Sequence, residues 1–331
     1  MDSYYKEIFD LFNLDVLDNY TLVHENTLSK SLDSDVAYLQ DLVNSTGKKA
    51  LLMYDNNPVW DMEDYFLLLS SQFSDVYLSS ANLNNLWSEH PNIVYFPTFY
   101  FTQLKHTNYQ TYTKEFRFSF LSNKPRFHRI YFYYITKNNI SNTDCVSVNN
   151  SAFDGQWWKE SYVRDMYNAI GKYDKSIEAG LPFATANTLE CNIKLNTIGS
   201  RTNDHSNKHI AYNSYFNVTG ETNITPGRVF LTEKTWKAVR SNVIPIFLES
   251  SSTFNALERL SFSFDNIINI KTDDYLSKVN HINQCMGAMS ISGAKSFYDT
   301  QIPRIEQNVS RFYDTNLTKL FKDHICDKLK I

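Results

Sequence analysis

The chain has 331 residues, with 32 Lys and Arg against 36 Asp and Glu for a formal charge of −4, and is 42% hydrophobic and 15% aromatic with only 9 Gly and 8 Pro. This core-forming composition excludes collagen-like, linker-rich and low-complexity architectures, and its charge excludes a histone-like coating of nucleic acid. The length favours two medium domains over one large one.

The opening MDSYYKEIFDLFNLD lacks the cationic start and apolar stretch of a secretory signal. The longest apolar runs, at 130–135 and 243–248, fall far short of the roughly 20 residues that span a bilayer. Cys145, Cys191, Cys285 and Cys326 lie far apart with no CxxC pair, which argues against a zinc ribbon or disulfide framework and fits a reducing compartment. A cytoplasmic protein with no membrane span is expected.

In chain order, residues 1–47 read as helical, from apolar spacing of three and four through Tyr5, Ile8, Phe9 and Phe12 and again through Val36, Leu39 and Leu42. The run 50–54 reads as a buried parallel strand ending in Asp55, 61–70 as a helix, and 76–78 and 93–96 as short strands. A second series opens with FRFSFLSN, a strand and turn from Phe116, and continues with an aromatic segment and a helix near 162–170. After a polar stretch at 192–208, apolar runs return at 215–218, 228–231, 243–248 and 267–270, separated by helix-length segments. Two α/β blocks are expected, 1–110 and 111–331, with the boundary between Gln103 and Lys114.

Four groups of residues bear on chemistry. In VFLTEKTWKAVRSNVIPIFL a strand runs into Thr232, a helix-capping hydroxyl, with Glu233, Lys234 and Lys237 in the first turns. A helix start with Lys at a strand's carboxyl end suits a phosphate-bearing ligand, and a solvated capped helix fits the same residues. Lys114, Arg117, Lys124, Arg126, His128 and Arg129 interleave with Phe116, Phe118, Phe120, Phe127 and Tyr131. Such interleaving marks either nucleic-acid contact or a strand with cations facing water. Asn123 and Arg129 follow the strand end and fall on the same edge as Lys234. Glu221, beyond the strand ending near Val218 and beside Gly220, suits a ribose or sugar hydroxyl, and equally an exposed loop acid. His205 and His209 have metal-ligand spacing with Asp204 adjacent, but their Asn-rich surroundings read as loop, and no metal site is expected. GxGxxG, GxxxxGKS, GxSxG and HExxH are absent, which removes the familiar dinucleotide, Walker-type, esterase and zinc-protease readings.

Taken together, Ser122, Asn123 and Arg129 of FSFLSNKPRFHR, Glu221 of FNVTGET, and Thr232, Glu233, Lys234, Pro245 and Ile246 of FLTEKTWKAVRSNVIPIF resemble the motifs of the α-1,3-fucosyltransferase family. Their order and approximate spacing agree over 115–275, and the chain also looks like sugar transferases of tailed phages. The resemblance implies two Rossmann-like domains facing a cleft (GT-B type), with the donor nucleotide sugar held by the second. It implies transfer of a sugar from a nucleotide diphosphate to an acceptor hydroxyl, inverting and without a metal or other cofactor. Arg129 and Lys234 would pair with the diphosphate, Glu221 and Glu233 would hold ribose or sugar hydroxyls, and Asn123 and Thr232 would line the same site. FNVTGET departs from the family's Phe-Glu-Asn-Ser, and its spacing to TEK is longer, so neither fucose nor GDP follows. A first-domain carboxylate would act as base, with Asp55 the candidate and Asp61 and Glu63 its competitors. The acceptor is a glycan or, in a phage setting, a hydroxymethylated DNA base, which Lys124, Arg126 and His128 would help to hold. A nucleotide or nucleic-acid binding protein without catalysis and a purely structural protein are the alternatives.

Overall fold

A computed structural model of the chain describes residues 9–10, 16–53, 62–105, 113–122, 127–148, 213–221, 227–265 and 267–331. The fold is α/β, with two four-stranded sheets whose described pairings are all parallel. The chain divides into two units, Met1–Thr102 with Asp314–Ile331, and Gln103–Tyr313. The first break thus falls before the expected 110/111, and the last residues group with the first unit rather than the second.

In the first unit, β1 (Tyr20–His24), α1 (Leu32–Thr46), β2 (Lys49–Met53), α2 (Met62–Ser71), β3 (Val76–Ser80), β4 (Ile93–Tyr95) and α3 (Thr98–Leu104) follow in order, and the sheet order is β1-β2-β3-β4. α1 stops at Gly47, whose φ of 65° is left-handed and whose N–H returns to the Val43 carbonyl at 3.0 Å. β1 corrects the helical reading of 1–47. Its YTLVH run carries β-branched and aromatic residues, of which Tyr20 and Val23 are buried. Ala50, Leu52, Val76 and Leu78 pack with Leu39 of α1 and Phe66 and Leu69 of α2 to form the core. The C-terminal helix α9 (Thr315–Leu329) completes this unit. Phe321 sits edge-on to Tyr95, Tyr100 and Phe101, the Tyr95 N–H donates to His324 Nε2 at 3.0 Å, and the Tyr20 hydroxyl donates to the Leu329 carbonyl at 2.6 Å.

The second unit contains β5 (Phe116–Ser122), α4 (Phe127–Thr136), β6 (Cys145–Val148), β7 (Ser214–Thr219), α5 (Glu233–Arg240), β8 (Ile244–Phe247), α6 (Ser251–Arg259), α7 (Tyr275–Ala288) and α8 (Ile291–Phe312). Its sheet order is β6-β5-β7-β8. The chain builds outward from β5 to β6 and then crosses to β7 on the other side, so the order reverses at the β5/β7 pair. Phe118 and Phe216 face each other across that pair with rings stacked at 4.8 Å, and helices α4, α7 and α8 close over them.

Two expected strands of this unit are not formed. Residues 228–231 contribute only an isolated bridge at Phe230, confined between Gly227, with φ of 83°, and the cap of α5. In 267–270, the Asp265 carboxylate accepts the Ile267 and Ile268 N–H groups, both at 2.9 Å, and so takes donors a ladder would use. Asn269 instead stands in for a neighbouring strand. Its side chain accepts the Phe247 N–H at 3.0 Å and donates to the Pro245 carbonyl at 2.8 Å, covering the outer edge of β8.

Among the described residues no helix is long and apolar enough to cross a membrane, and Cys145, Cys285 and Cys326 are free thiols.

Candidate functional site

In an open parallel sheet, ligands bind beyond the carboxyl ends of the strands where the strand order reverses. In the second unit that place follows β5 and β7. The segments that leave these strands carry His128 and Arg129 at the start of α4, and Gly220 and Glu221 after β7. The next strand end, after β8, carries Glu249 and Ser250, and α5 begins with Thr232, Glu233 and Lys234.

Glu221 is fully buried and lies at the centre of the group. Its Oε1 accepts the Thr232 N–H at 2.8 Å, the Thr235 N–H at 3.2 Å and the Thr235 hydroxyl at 2.7 Å. Its Oε2 accepts the Thr232 hydroxyl at 2.5 Å and lies 3.9 Å from Lys234 Nζ. The first-turn donors of α5 are therefore met by a carboxylate of the same chain, which also answers the positive end of the helix. Both oxygens of Glu221 thus take part in holding α5.

The main chain of Glu221 is held from two sides. The Glu249 carboxyl accepts its N–H at 2.5 Å, and His128 Nε2 donates to its carbonyl at 2.8 Å. Because a carbonyl only accepts, His128 carries its proton on Nε2. The His128 carbonyl in turn accepts the Tyr275 hydroxyl from α7 at 2.5 Å. Arg129, also buried, lies close against Gly220 at the end of β7. A Cβ on Gly220 would lie 3.2 Å from Arg129 Cγ.

Lys234 is the cation of this group that reaches solvent, with its side chain 23% exposed. Nζ donates to the Thr232 hydroxyl at 3.0 Å and to Glu233 Oε1 at 3.1 Å. Burial acts to raise the Glu233 carboxyl, but the Lys234 ammonium, its hydrogen bond, and more weakly Lys237 prevail and hold it at about 2. Glu249 behaves oppositely, since burial and then the neighbouring Glu221 charge push it up to about 8.

The basic and aromatic stretch separates into unlike parts. Arg117 is buried, with Nε and Nη2 on the two Asp144 oxygens at 3.0 and 2.6 Å and further bonds to the Asn139, Met286 and Met289 carbonyls. Lys114 donates to the Asn242 carbonyl and lies over the Tyr298 ring, and burial lowers it to about 7. Phe118, Phe120 and Tyr131 belong to the core. The cations of this stretch that are described are thus bound into the fold and do not face water as a stripe.

Of the expected site residues, His128, Arg129, Glu221, Thr232, Glu233 and Lys234 come together on one edge, while Asp55, Asp61, Asn123, Lys124, Arg126, His205, His209, Cys191 and the helix near 162–170 lie outside the described residues. Glu63 falls in α2 of the first unit. Among the described residues, no group of three or more His, Cys, Asp or Glu is arranged to hold a metal. Glu249, Tyr275 and Lys278 are additions. Glu249 directly follows the expected strand 243–248 and so had a positional signal, whereas Tyr275 and Lys278 enter from α7 and had none. Comparison with known proteins adds no family: no family model, no curated protein and no solved structure matches the chain.

Proposed function

We propose that the chain is a glycosyltransferase that takes its sugar from a nucleotide-diphosphate donor held by the second unit. The observation that carries this reading is the reversal of strand order at β5/β7, with Arg129 and Lys234 both supplied to the carboxyl edge beside it. In the GT-B arrangement that the reading implies, each α/β unit is one Rossmann-like half, and the first serves the acceptor.

Two fixed cations at the sheet edge suit a diphosphate leaving group, whose charge grows as the bond to the sugar breaks. In the transfer, the acceptor hydroxyl oxygen bonds to the anomeric carbon while the bond from that carbon to the diphosphate oxygen breaks. The diphosphate departs with the electron pair, and the hydroxyl proton passes to a carboxylate base, for which Asp55 remains the candidate. Attack opposite the leaving group inverts the anomeric centre. Lys234 and Arg129 neutralise the diphosphate, Glu233 is the nearer acid for a ribose or sugar hydroxyl, and Glu221 sets the position of the Lys234 segment.

A thermal-shift screen of the full chain against GDP, UDP, ADP and CMP, with and without EDTA, tests the donor site. A nucleotide at 100 times its dissociation constant adds about 2.7 kcal/mol of stability. Stabilisation by one diphosphate, kept in EDTA and lost in Lys234→Ala, supports the reading; no response to any of them overturns it. With the donor known, transfer of labelled sugar to glycans or to hydroxymethylated DNA separates the two acceptor classes.

A further inference from the structure

Glu249 lies just beyond β8, and only 2% of its surface is exposed. Its Oε1 takes the Glu221 N–H, whereas Oε2 is buried and has no hydrogen-bond partner among the described residues. Lys278, the cation that reaches this residue from α7, donates to the Glu249 main-chain carbonyl and not to its carboxyl. The other charged or titratable groups that act on it are Glu221 from the end of β7 and Tyr275 from α7, while Arg129 from α4 acts on Tyr275 and Asp273 ahead of α7 acts on Lys278. A buried carboxyl group with one donor and a second carboxylate as neighbour is much better accommodated with its proton on than off.

We propose that Glu249 is a positioning residue for the anion site: as a neutral acid it fixes the Glu221 main chain, and through it the carboxylate that seats Thr232, Thr235 and Lys234. The sequence of contacts runs from β8 to β7 to α5 without a break. Ionisation of Glu249 would put a second negative charge beside Glu221 and oppose an anionic ligand from behind the helix start. The value of about 8 for Glu249 sets that change just above neutrality. Lys278, which burial lowers to about 8, would lose its charge over the same interval, so the test has to separate the two.

This inference rests on the Lys234 site proposed above. The experiment is calorimetric titration of the full chain with GDP, UDP and ADP between pH 6.5 and 9.5, comparing wild type with Glu249→Gln and Glu249→Ala. Above pH 7.5 the phosphates of these probes have a constant charge. For the nucleotide that binds, wild-type affinity should fall about tenfold between pH 7 and 9, as expected when only the protonated form binds. Glu249→Gln keeps an acceptor for the Glu221 N–H and has no charge to gain. It should bind within threefold of wild type at pH 7 and stay level to pH 9. Glu249→Ala, which removes the acceptor, should lose at least tenfold at every pH. A wild-type affinity that is level from pH 7 to 9, or a Glu249→Gln profile that declines as steeply as wild type and so reports Lys278 or the base N–H of GDP or UDP, overturns the proposal while leaving the donor site standing. Failure of the wild type to bind any of the three at pH 7 overturns the donor site and this proposal together.

Discussion

Glu221 holds Thr235 twice, through its main-chain N–H at 3.2 Å and its hydroxyl at 2.7 Å, so a residue at the end of β7 serves as the cap of a helix that starts 12 positions later. Thr232, the helix's own N-cap, accepts the Lys234 N–H at 3.3 Å and passes its hydroxyl proton side to Glu221. The start of α5 is thereby tied to the sheet by buried polar bonds rather than by packing alone.

Replacing Glu221 by Ala strands the Thr232 and Thr235 donors in a buried setting. Orphaned donors of this kind cost about 1–3 kcal/mol each, so a loss of about 3–5 kcal/mol is expected. Glu221→Gln, which keeps one oxygen acceptor, should lose less. Urea denaturation of the three proteins decides the matter, and a loss below about 1 kcal/mol for Glu221→Ala would show that the cap is dispensable.

Arg117 ties β5 to the turn before β6 through Asp144, and to the end of α7 through the carbonyls of Met286 and of Met289, the residue that follows the helix. Removing one member of a buried ion pair leaves the other without its counter-charge, at a cost of about 3–5 kcal/mol. Arg117→Ala should therefore be strongly destabilised in denaturant, with the double variant Arg117→Ala, Asp144→Ala recovering part of the loss. An Arg117→Ala protein as stable as wild type, but weaker on DNA, would return this residue to a nucleic-acid surface.

The parts of the molecule that the sequence made legible are those where burial is continuous along the chain. The runs around Leu51, Phe118, Phe216 and Ile246 each form a strand because both faces of a parallel sheet are covered, so that no alternation is needed to recognise them. Thr232, Glu233 and Lys234 were legible for a local reason also, since capping and first-turn charge act within four residues. What was not legible depends on distant partners. The run at 267–270 is as apolar as a strand but loses its ladder to Asp265, and the cations Lys114 and Arg117 are bound into the fold because the Asn242 carbonyl and the Asp144 carboxylate meet them. The assignment of α9 to the first unit rests on contacts such as Tyr95 to His324, which no local pattern announces. Glu249 reads as an ordinary loop acid until three elements close around it.

His324 gives the C-terminal helix a pH dependence of definite sign. The Tyr95 N–H needs an imidazole lone pair, and burial, then the Lys328 charge, lowers the histidine from 6.5 to about 4 against a weaker opposing pull from Asp327. In the unfolded chain the ring takes its proton near its ordinary value. Stability from this group is therefore complete above pH 6.5 and is lost as pH falls towards 4, by about 3 kcal/mol at most. Hydrogen exchange of the β4 amides between pH 7 and 4.5, corrected for intrinsic rates, should show this loss in wild type and much less of it in His324→Gln, whose amide oxygen still accepts. Parallel profiles for the two proteins would mean that other groups set the acid limit of this unit.

Gly220 connects backbone geometry to the proposed donor site. A methyl group there would meet Arg129 Cγ at 3.2 Å, Arg129 Nε at 3.5 Å and Leu248 Cδ1 at 3.5 Å, and the most yielding of these neighbours is the arginine side chain. Gly220→Ala should thus move Arg129 by a few tenths of an ångström while costing the fold about 1 kcal/mol or less. If Arg129 pairs with the diphosphate, even that displacement should weaken nucleotide binding by about threefold to tenfold, as expected when part of a charge-assisted hydrogen bond worth about 1.5–3 kcal/mol is lost. Titration of the nucleotide identified in the thermal screen, alongside denaturation of the free protein, separates the two effects. An affinity unchanged within twofold would indicate that Arg129 serves the packing of β7 against α4 and that Lys234 carries the anion without it.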